Sequence, residues 1–271
     1  MPEMKTDEVI RIARMAVSLG VTRIKLTGGE PLLRRDIVAV VHGLAAIPGI
    51  TDLAMTTNGT QLPTLAEPLR KAGLMRVNIN LPTLDPKTYA ILNGGDLSDA
   101  LNGVHSAAKA GLYPVKLNML VLRDVNVNDV QKMIDFAQQT QTVLQLMELE
   151  PINIEDEFYR TRFFSLNQIE EGLKEQALEV RTRGSMQNRH VYVLPKVNVE
   201  VVHPIENTDF CARCTRLRLT SDGKFKPCLM VNDNLVDVLT PMRKGITDDE
   251  LKELFISAVR RREPFYKPTE S

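Results

Sequence analysis

The amino-acid sequence predicts an α/β protein whose strands form a parallel sheet curled toward a (βα) barrel, and three observations carry that expectation. Strand and helix patterns alternate as far as about residue 150, and strands joined by crossover helices pair in parallel. The strands alternate polar and apolar side chains, whereas a parallel sheet covered on both faces is apolar almost throughout. All three cysteines lie in the last quarter of the chain, as Cys211-Ala212-Arg213-Cys214, thirteen intervening residues, then Cys228.

The elements follow in order. Val9, Ile10, Ala13, Ala16 and Val17 fall at helical spacing, so a helix is expected over 6–19, with Gly20 as its stop. Strands are expected at 23–27, 53–58, 76–81, 114–121 and 143–150, with helical segments near 36–46, 62–72, 99–110 and 127–139. Ile24 and Leu26 alternate with Lys25 and Thr27, Leu53 and Met55 with Thr56 and Asn58, and Val77 and Ile79 with Asn78 and Asn80. Leu117 and Met119 alternate with Lys116 and Asn118, and Met147 and Leu149 with Glu148 and Glu150. A side-chain period of two therefore turns an apolar face to the helices and a polar face to a wet interior, with its site at the C-terminal rim. Beyond residue 150 a helix is expected over 166–178, then a hairpin of 191–194 with 197–202 as a bridge to the cysteines. Arg216–Thr220 and Lys224–Lys226 read as a second hairpin around Asp222-Gly223, which can bring the three sulfurs together.

Composition narrows the function. The 271 residues carry 34 basic and 34 acidic side chains, so no global field favours nucleic acid or an anionic membrane, and anion recognition must be local. No apolar run has the length of a spanning helix and the start lacks a signal-peptide core, so a cytoplasmic protein with reduced thiols is expected. His42 and His105 fall on helical patterns and read as packing, as do the eleven methionines.

Three motifs carry chemistry. A cysteine triad at metal-ligand spacing suits a metal that keeps one coordination position open, with a Cys3His zinc site completed by His203 or His190 as the alternative. Thr27-Gly28-Gly29-Glu30-Pro31 follows a strand, where exposed amides and missing side chains admit a ligand; a tight strand-to-helix turn is the other reading. Arg216 and Arg218, two apart on a strand, present paired guanidinium forks suited to a triphosphate, or else form a solvated strand face.

Leu26 to Asp36, Thr56-Thr57-Asn58-Gly59, Leu120 to Asn126 and the Cys211, Cys214, Cys228 tail together closely resemble the radical S-adenosylmethionine (SAM) GTP 3',8-cyclases of molybdenum cofactor synthesis, in order and over nearly the whole chain. The resemblance implies an incomplete (βα) TIM-like barrel of the radical SAM type over 1–150 and a C-terminal cysteine-cluster region over 151–271. It implies that Cys211, Cys214 and Cys228 hold a 4Fe-4S cluster, that Gly28, Gly29, Glu30, Asn80 and Glu150 line the SAM site, and that Lys25, Thr56, Lys116, Arg216 and Arg218 contact GTP. The implied activity converts GTP to (8S)-3',8-cyclo-7,8-dihydroguanosine 5'-triphosphate, through a 5'-deoxyadenosyl radical that takes hydrogen from the ribose before the carbon radical attacks C8. A homodimer and a partner enzyme that processes the cyclised product are implied as well.

Departures from the family pattern bear on this. A second 4Fe-4S cluster, held by CxxxCxxC, cleaves SAM in the family, and these residues contain no such motif, so an N-terminally truncated form is expected. Asn80 stands for a serine, Pro82 for an acidic residue and Glu150 for a methionine, and the segment 265–271 lacks a Gly-Gly tail. An iron-sulfur and GTP-binding homologue without radical activity is therefore the competing reading, beside the zinc module.

Overall fold

A computed structural model describes residues 3–184 and 187–265. Helix α1 (Thr6–Ser18) leads into β1 (Arg23–Leu26), and the chain then alternates through α2 (Ile37–Ala45), β2 (Asp52–Thr57), α3 (Leu62–Lys71), β3 (Arg76–Asn80), α4 (Pro86–Asn93), α5 (Leu97–Lys109), β4 (Lys116–Leu120), α6 (Val130–Gln139) and β5 (Val143–Met147). Two helices, α7 (Asp156–Arg162) and α8 (Asn167–Gln176), precede β6 (Glu179–Arg183), β7 (Arg189–Val193) and β8 (Asn198–Val202). The order in the main sheet is β1-β2-β3-β4-β5-β8-β7-β6. Strands β1 to β5 and β8 run parallel, and β7 and β6 continue antiparallel. The sheet does not close, since β1 and β6 are both edges.

Local sequence explains the boundaries. Asp85 accepts from Thr88 N–H (2.8 Å) at the start of α4, with Pro86 in the first turn, and Gly94 ends the helix in a left-handed conformation at φ 71°. Asp96 caps α5 in the same way through Ser98 N–H (2.8 Å). The hairpin expected at 191–202 is present, but it extends the main sheet through β8, which pairs with β5, in place of forming a bridge. Residue 150, the expected boundary, thus lies between two neighbouring strands of one sheet. Helices α4 and α7 and strand β6 went unread because they are short and carry little apolar periodicity.

Two cores hold the molecule together. The larger lies between the sheet and the apolar stripes of α2, α3, α5, α6 and α8. The smaller joins α1 to the C-terminal unit, which comprises α9 (Thr208–Ala212), β9 (Arg218–Leu219), β10 (Lys224–Lys226), β11 (Val236–Asp237), α10 (Leu239–Arg243) and α11 (Asp248–Arg260). The β9–β10 hairpin is the expected one; Gly223 turns it at φ 76°, where an added Cβ would meet Leu239 Cβ at 2.2 Å. Ile12 and Met15 of α1 enter the smaller core while Ala13 enters the larger. Arg11 donates to Ile246 O (2.6 Å) and Asp248 Oδ1 (2.9 Å), fixing α1 to the start of α11.

Candidate functional site at the polar face

The parallel register places the polar residues on one face in two rows. Thr56, Asn78 and Lys116 are successive partners, and so are Asn80, Asn118, Gln145 and Glu200. Lys25 pairs with Ala54, two residues before Thr56, and lies on the same face. Hydrogen bonds run along the second row and up to the first. Asn118 Nδ2 donates to Asn80 Oδ1 (3.0 Å), and Asn118 Oδ1 accepts from Asn78 Nδ2 (3.1 Å) and Gln145 Nε2 (3.2 Å). Beyond them, Glu200 accepts from Lys116 and from Arg183 (2.6 Å). Burial works against the Glu200 carboxylate, but the two cations hold its pKa below the usual range.

On β5 the face assignment read from the sequence needs correction. Gln145 and Met147 belong to the polar face, with Gln145 Nε2 donating to Met147 Sδ (3.2 Å). Glu148, past the strand end, turns to Leu166 N–H (3.1 Å) on the helix side. The sequence reading ran the period of two through residue 150, whereas the strand stops at Met147 and the parity is lost there.

The face is strongly cationic. Lys25 retains open surface yet sits deep within the bowl, and burial, followed by the charges of Arg76, Arg216, Lys116 and Arg189, takes its ammonium down to about 7. Arg216 and Arg218 are half-buried and also pushed down, first by burial. Arg216 is within electrostatic reach of Cys214, and Arg218 of Cys214 and Cys228. Glu150 is raised by burial, and its charge is opposed by Arg218, Arg216 and Arg189. The expected SAM residue Glu150 and the expected GTP residues Lys25, Lys116, Arg216 and Arg218 therefore share one electrostatic neighbourhood.

The glycine loop is built differently. Glu30 accepts from Leu32 N–H (3.0 Å), Thr57 Oγ1 (2.6 Å) and Asn58 N–H (2.7 Å), so its carboxylate stitches the loop to the end of β2. Gly28 and Gly29 are exposed, and no heavy atom lies within 4 Å of where a Cβ would stand on either. Internal packing does not require glycine at 29, and the space beside it is open. The Leu120 to Asn126 motif has an internal role, since Asn126 Nδ2 donates to Pro82 O and Leu120 O (each 2.8 Å) and its Oδ1 accepts from Leu122 N–H (2.7 Å).

Cys211, Cys214 and Cys228 are free, half-buried thiols. Cys214 N–H donates to Cys211 O (3.2 Å), which puts these two one turn apart. The donor set suits an iron-sulfur cluster in its chemistry, three thiols on one small unit beside two guanidinium groups. Among the described residues, however, no three His, Cys, Asp or Glu side chains are gathered as a metal site. The two histidines of the zinc alternative both meet carboxylates. His203 Nδ1 meets Glu148 Oε1 (2.8 Å) and its Nε2 meets Glu170 Oε2 (2.9 Å), and these bonds raise it to about 9 against the opposing effect of burial. His190 likewise turns to Glu170 (2.9 Å).

Residues that the sequence reading missed are Gln145, Arg189 and Glu200. Gln145 and Glu200 each stood between apolar neighbours, in Leu144-Gln145-Leu146 and Val199-Glu200-Val201, inside expected strands; Arg189 lay before the strand expected to begin at 191, and only the pairing of β7 with β8 shows which of its sides faces the bowl.

Among the described residues, no helix is long and apolar enough to cross a membrane. Residues 1–137 match the Radical SAM superfamily and residues 142–268 match Molybdenum Cofactor Synthesis C. The chain is 46% identical over 272 residues to a probable GTP 3',8-cyclase of Thermococcus kodakarensis, covering 98% of this chain and 87% of that one. It is 41% identical over 265 residues to a probable GTP 3',8-cyclase of Methanocaldococcus jannaschii, covering 97% and 86%. Streptococcus suis SuiB, solved bound to S-adenosylmethionine, has a similar fold with a TM-score of 0.65 at 17% identity, covering 98% of this chain and 60% of that one. An open, mostly parallel sheet with a polar inner face, joined to a cysteine-bearing unit that matches its own family over 142–268, places this chain in the GTP 3',8-cyclase family of the radical SAM superfamily.

Proposed function

We propose that this chain serves as a GTP 3',8-cyclase of molybdenum cofactor biosynthesis, binding GTP at the polar face with the base toward the cysteine unit. The observation that carries this reading is the convergence of Lys25, Arg216 and Arg218 on one bowl, with no carboxylate of the described residues within 4.0 Å of them. A triphosphate supplies the missing negative charge, and forked guanidinium contacts fix its orientation. Lys116, already matched by Glu200, and Thr56 form the floor beneath it. Gly28 and Gly29 leave space for the amino acid end of SAM, with Asn80 at the adjoining rim. Residues 1–150 thus serve as the SAM-binding half and 151–271 as the half that brings the cysteines to the substrate.

Cys211, Cys214 and Cys228 would hold a 4Fe-4S cluster, whose fourth iron would supply an open coordination position for the guanine. No other cysteine is present in these 271 residues. These residues therefore do not supply the ligands of a SAM-cleaving cluster, and their part in the reaction is to bind and orient GTP and SAM. The test is calorimetry with GTP. Arg216→Ala and Arg218→Ala should each weaken binding roughly ten- to a hundredfold, because a charge-assisted contact is worth about 1.5 to 3 kcal/mol. Equal affinity in both variants and the wild type would reduce the arginine pair to a solvated strand face.

A further inference from the structure

Charge pairing across the polar face is uneven. Asp52 holds Arg76 with two hydrogen bonds (2.8 and 2.6 Å), and Glu200 serves both Lys116 and Arg183. Arg189 has nothing comparable. It is 9% exposed, its terminal nitrogens reach only the amide oxygens of Gln145 (3.3 Å) and Gln187 (3.1 Å), and its Nε is buried without an acceptor. No carboxylate of the described residues lies within 4.0 Å of it. The ring of Phe210, the residue before Cys211, lies 5.8 Å away and provides only a cation–π contact.

A buried guanidinium bonded only to neutral amides is an unfavourable arrangement that an arriving anion relieves. The charges at longer range confirm the imbalance. Burial comes first, then repulsion from Arg216, and together with Arg183 these prevail over the attraction of Glu200 and Glu150, taking Arg189 down to about 10. Lys25 lies within reach of the same group although it stands on β1 and Arg189 on β7, far apart in the strand order. No backbone pairing joins those strands directly.

Resting on the GTP reading, we propose that Arg189 is a further positioning residue for the substrate: it anchors the polyphosphate on the β7 side of the bowl, opposite Lys25, so that the anion links two ends of an open sheet. A guanidinium kept only for its amide bonds would behave as a prop, and its loss would loosen the fold. A guanidinium waiting for an anion behaves in the reverse manner, because replacing it with an apolar side chain of similar length removes an uncompensated charge.

The experiment measures affinity and stability together on the full chain, with tripolyphosphate and GTP as probes for the wild type, Arg189→Met and Arg189→Lys. The expected result is roughly ten- to hundredfold weaker binding of both probes by Arg189→Met, partial recovery in Arg189→Lys, and a ligand-free melting temperature for Arg189→Met no lower than that of the wild type. Unchanged affinity in Arg189→Met overturns the proposal and leaves the GTP reading standing. Lower affinity together with a lower melting temperature, neither restored by lysine, makes Arg189 a structural prop and also overturns it. If the wild type binds neither probe, both ideas fall. If tripolyphosphate binds in an Arg189-dependent way and GTP binds no tighter, only the substrate reading falls.

Discussion

Strand β7 separates two polar clusters of opposite character. On its helix side, His190 and Tyr192 meet Glu170, which with Glu148 also encloses His203, so every charge there has a partner of opposite sign. On its bowl side, Arg189 joins Lys25, Arg216 and Arg218 in a group whose positive charges outnumber the carboxylates Glu150 and Glu200. A balanced cluster can be explained by folding alone, since it ties the end of β5, helix α8 and the exit of β8 together. An unbalanced one is costly in the free chain and gains its meaning from a ligand.

The sharpest way to break this comparison is to damage the balanced side. His203→Ala leaves two carboxylates facing each other, and the expected loss is roughly 2 to 4 kcal/mol, on the order of 10 °C in melting temperature. Calorimetric GTP affinity measured well below that transition should stay within about twofold of the wild type. A GTP affinity that collapses along with stability would mean that the two faces are not separate devices.

Acidity separates them next. His203 is raised in the folded chain, to about 9 from an ordinary 6.5, so its contribution is complete below about pH 6.5 and disappears as pH rises through 9. Burial alone would raise Glu170, but hydrogen bonds from His203, Tyr192 and His190 lower it to about 2, so its contribution is complete above about 4.5 and is lost as pH falls through 2. Lys25 runs the other way. Its folded value of about 7 lies under its ordinary 10.5, so the folded state gains relative to the unfolded as pH rises from 7 toward 10.5. Melting scans between pH 6.5 and 9 should therefore fall more gently in the wild type than in Lys25→Met. Identical slopes would remove Lys25 from the unbalanced group. Over the same range GTP affinity should decline by less than about tenfold per pH unit, because binding selects the protonated lysine.

The smallest effect belongs to the glycine loop. Gly29→Ala meets open space, so its melting temperature should move by only about 1 to 2 °C, while SAM binding followed by calorimetry should weaken severalfold. Undiminished SAM binding would mean that the space beside Gly29 is unused.

The same comparison shows which parts of the molecule the sequence discloses. The period of two and the crossover helices identify β1 to β4 within two residues, and they mark the polar face through Lys25, Thr56, Asn78 and Lys116. That information is local, carried by neighbours a few residues apart. The parity of Met147 and Glu148 is not local, because it depends on where β5 stops. Nor is the importance of Arg189, which arises from what it lacks, and a missing counter-ion becomes visible only when β7, β8 and β5 lie side by side. His203 and His190 have plausible zinc spacing in the linear chain, yet Glu148 and Glu170, distant in sequence, take both. Helices α10 and α11 went unread as well, although Thr247 and Glu250 form a capping box at the start of α11.

Helix α1 gives this architecture a direction in time. Its Ile12 and Met15 face, with Met4 just before it, belongs to a core whose remaining members, Phe225, Val236, Val238, Leu239, Met242, Leu251 and Ala258, come from the C-terminal unit, and Arg11 finds Asp248 across 237 positions. During synthesis, therefore, this helix leaves the ribosome with one side that nothing yet made can cover. The sheet can assemble strand by strand as the chain lengthens, but the helix that opens it waits for the helix that ends it. Until α11 arrives, the nascent protein carries an uncovered apolar stripe on α1.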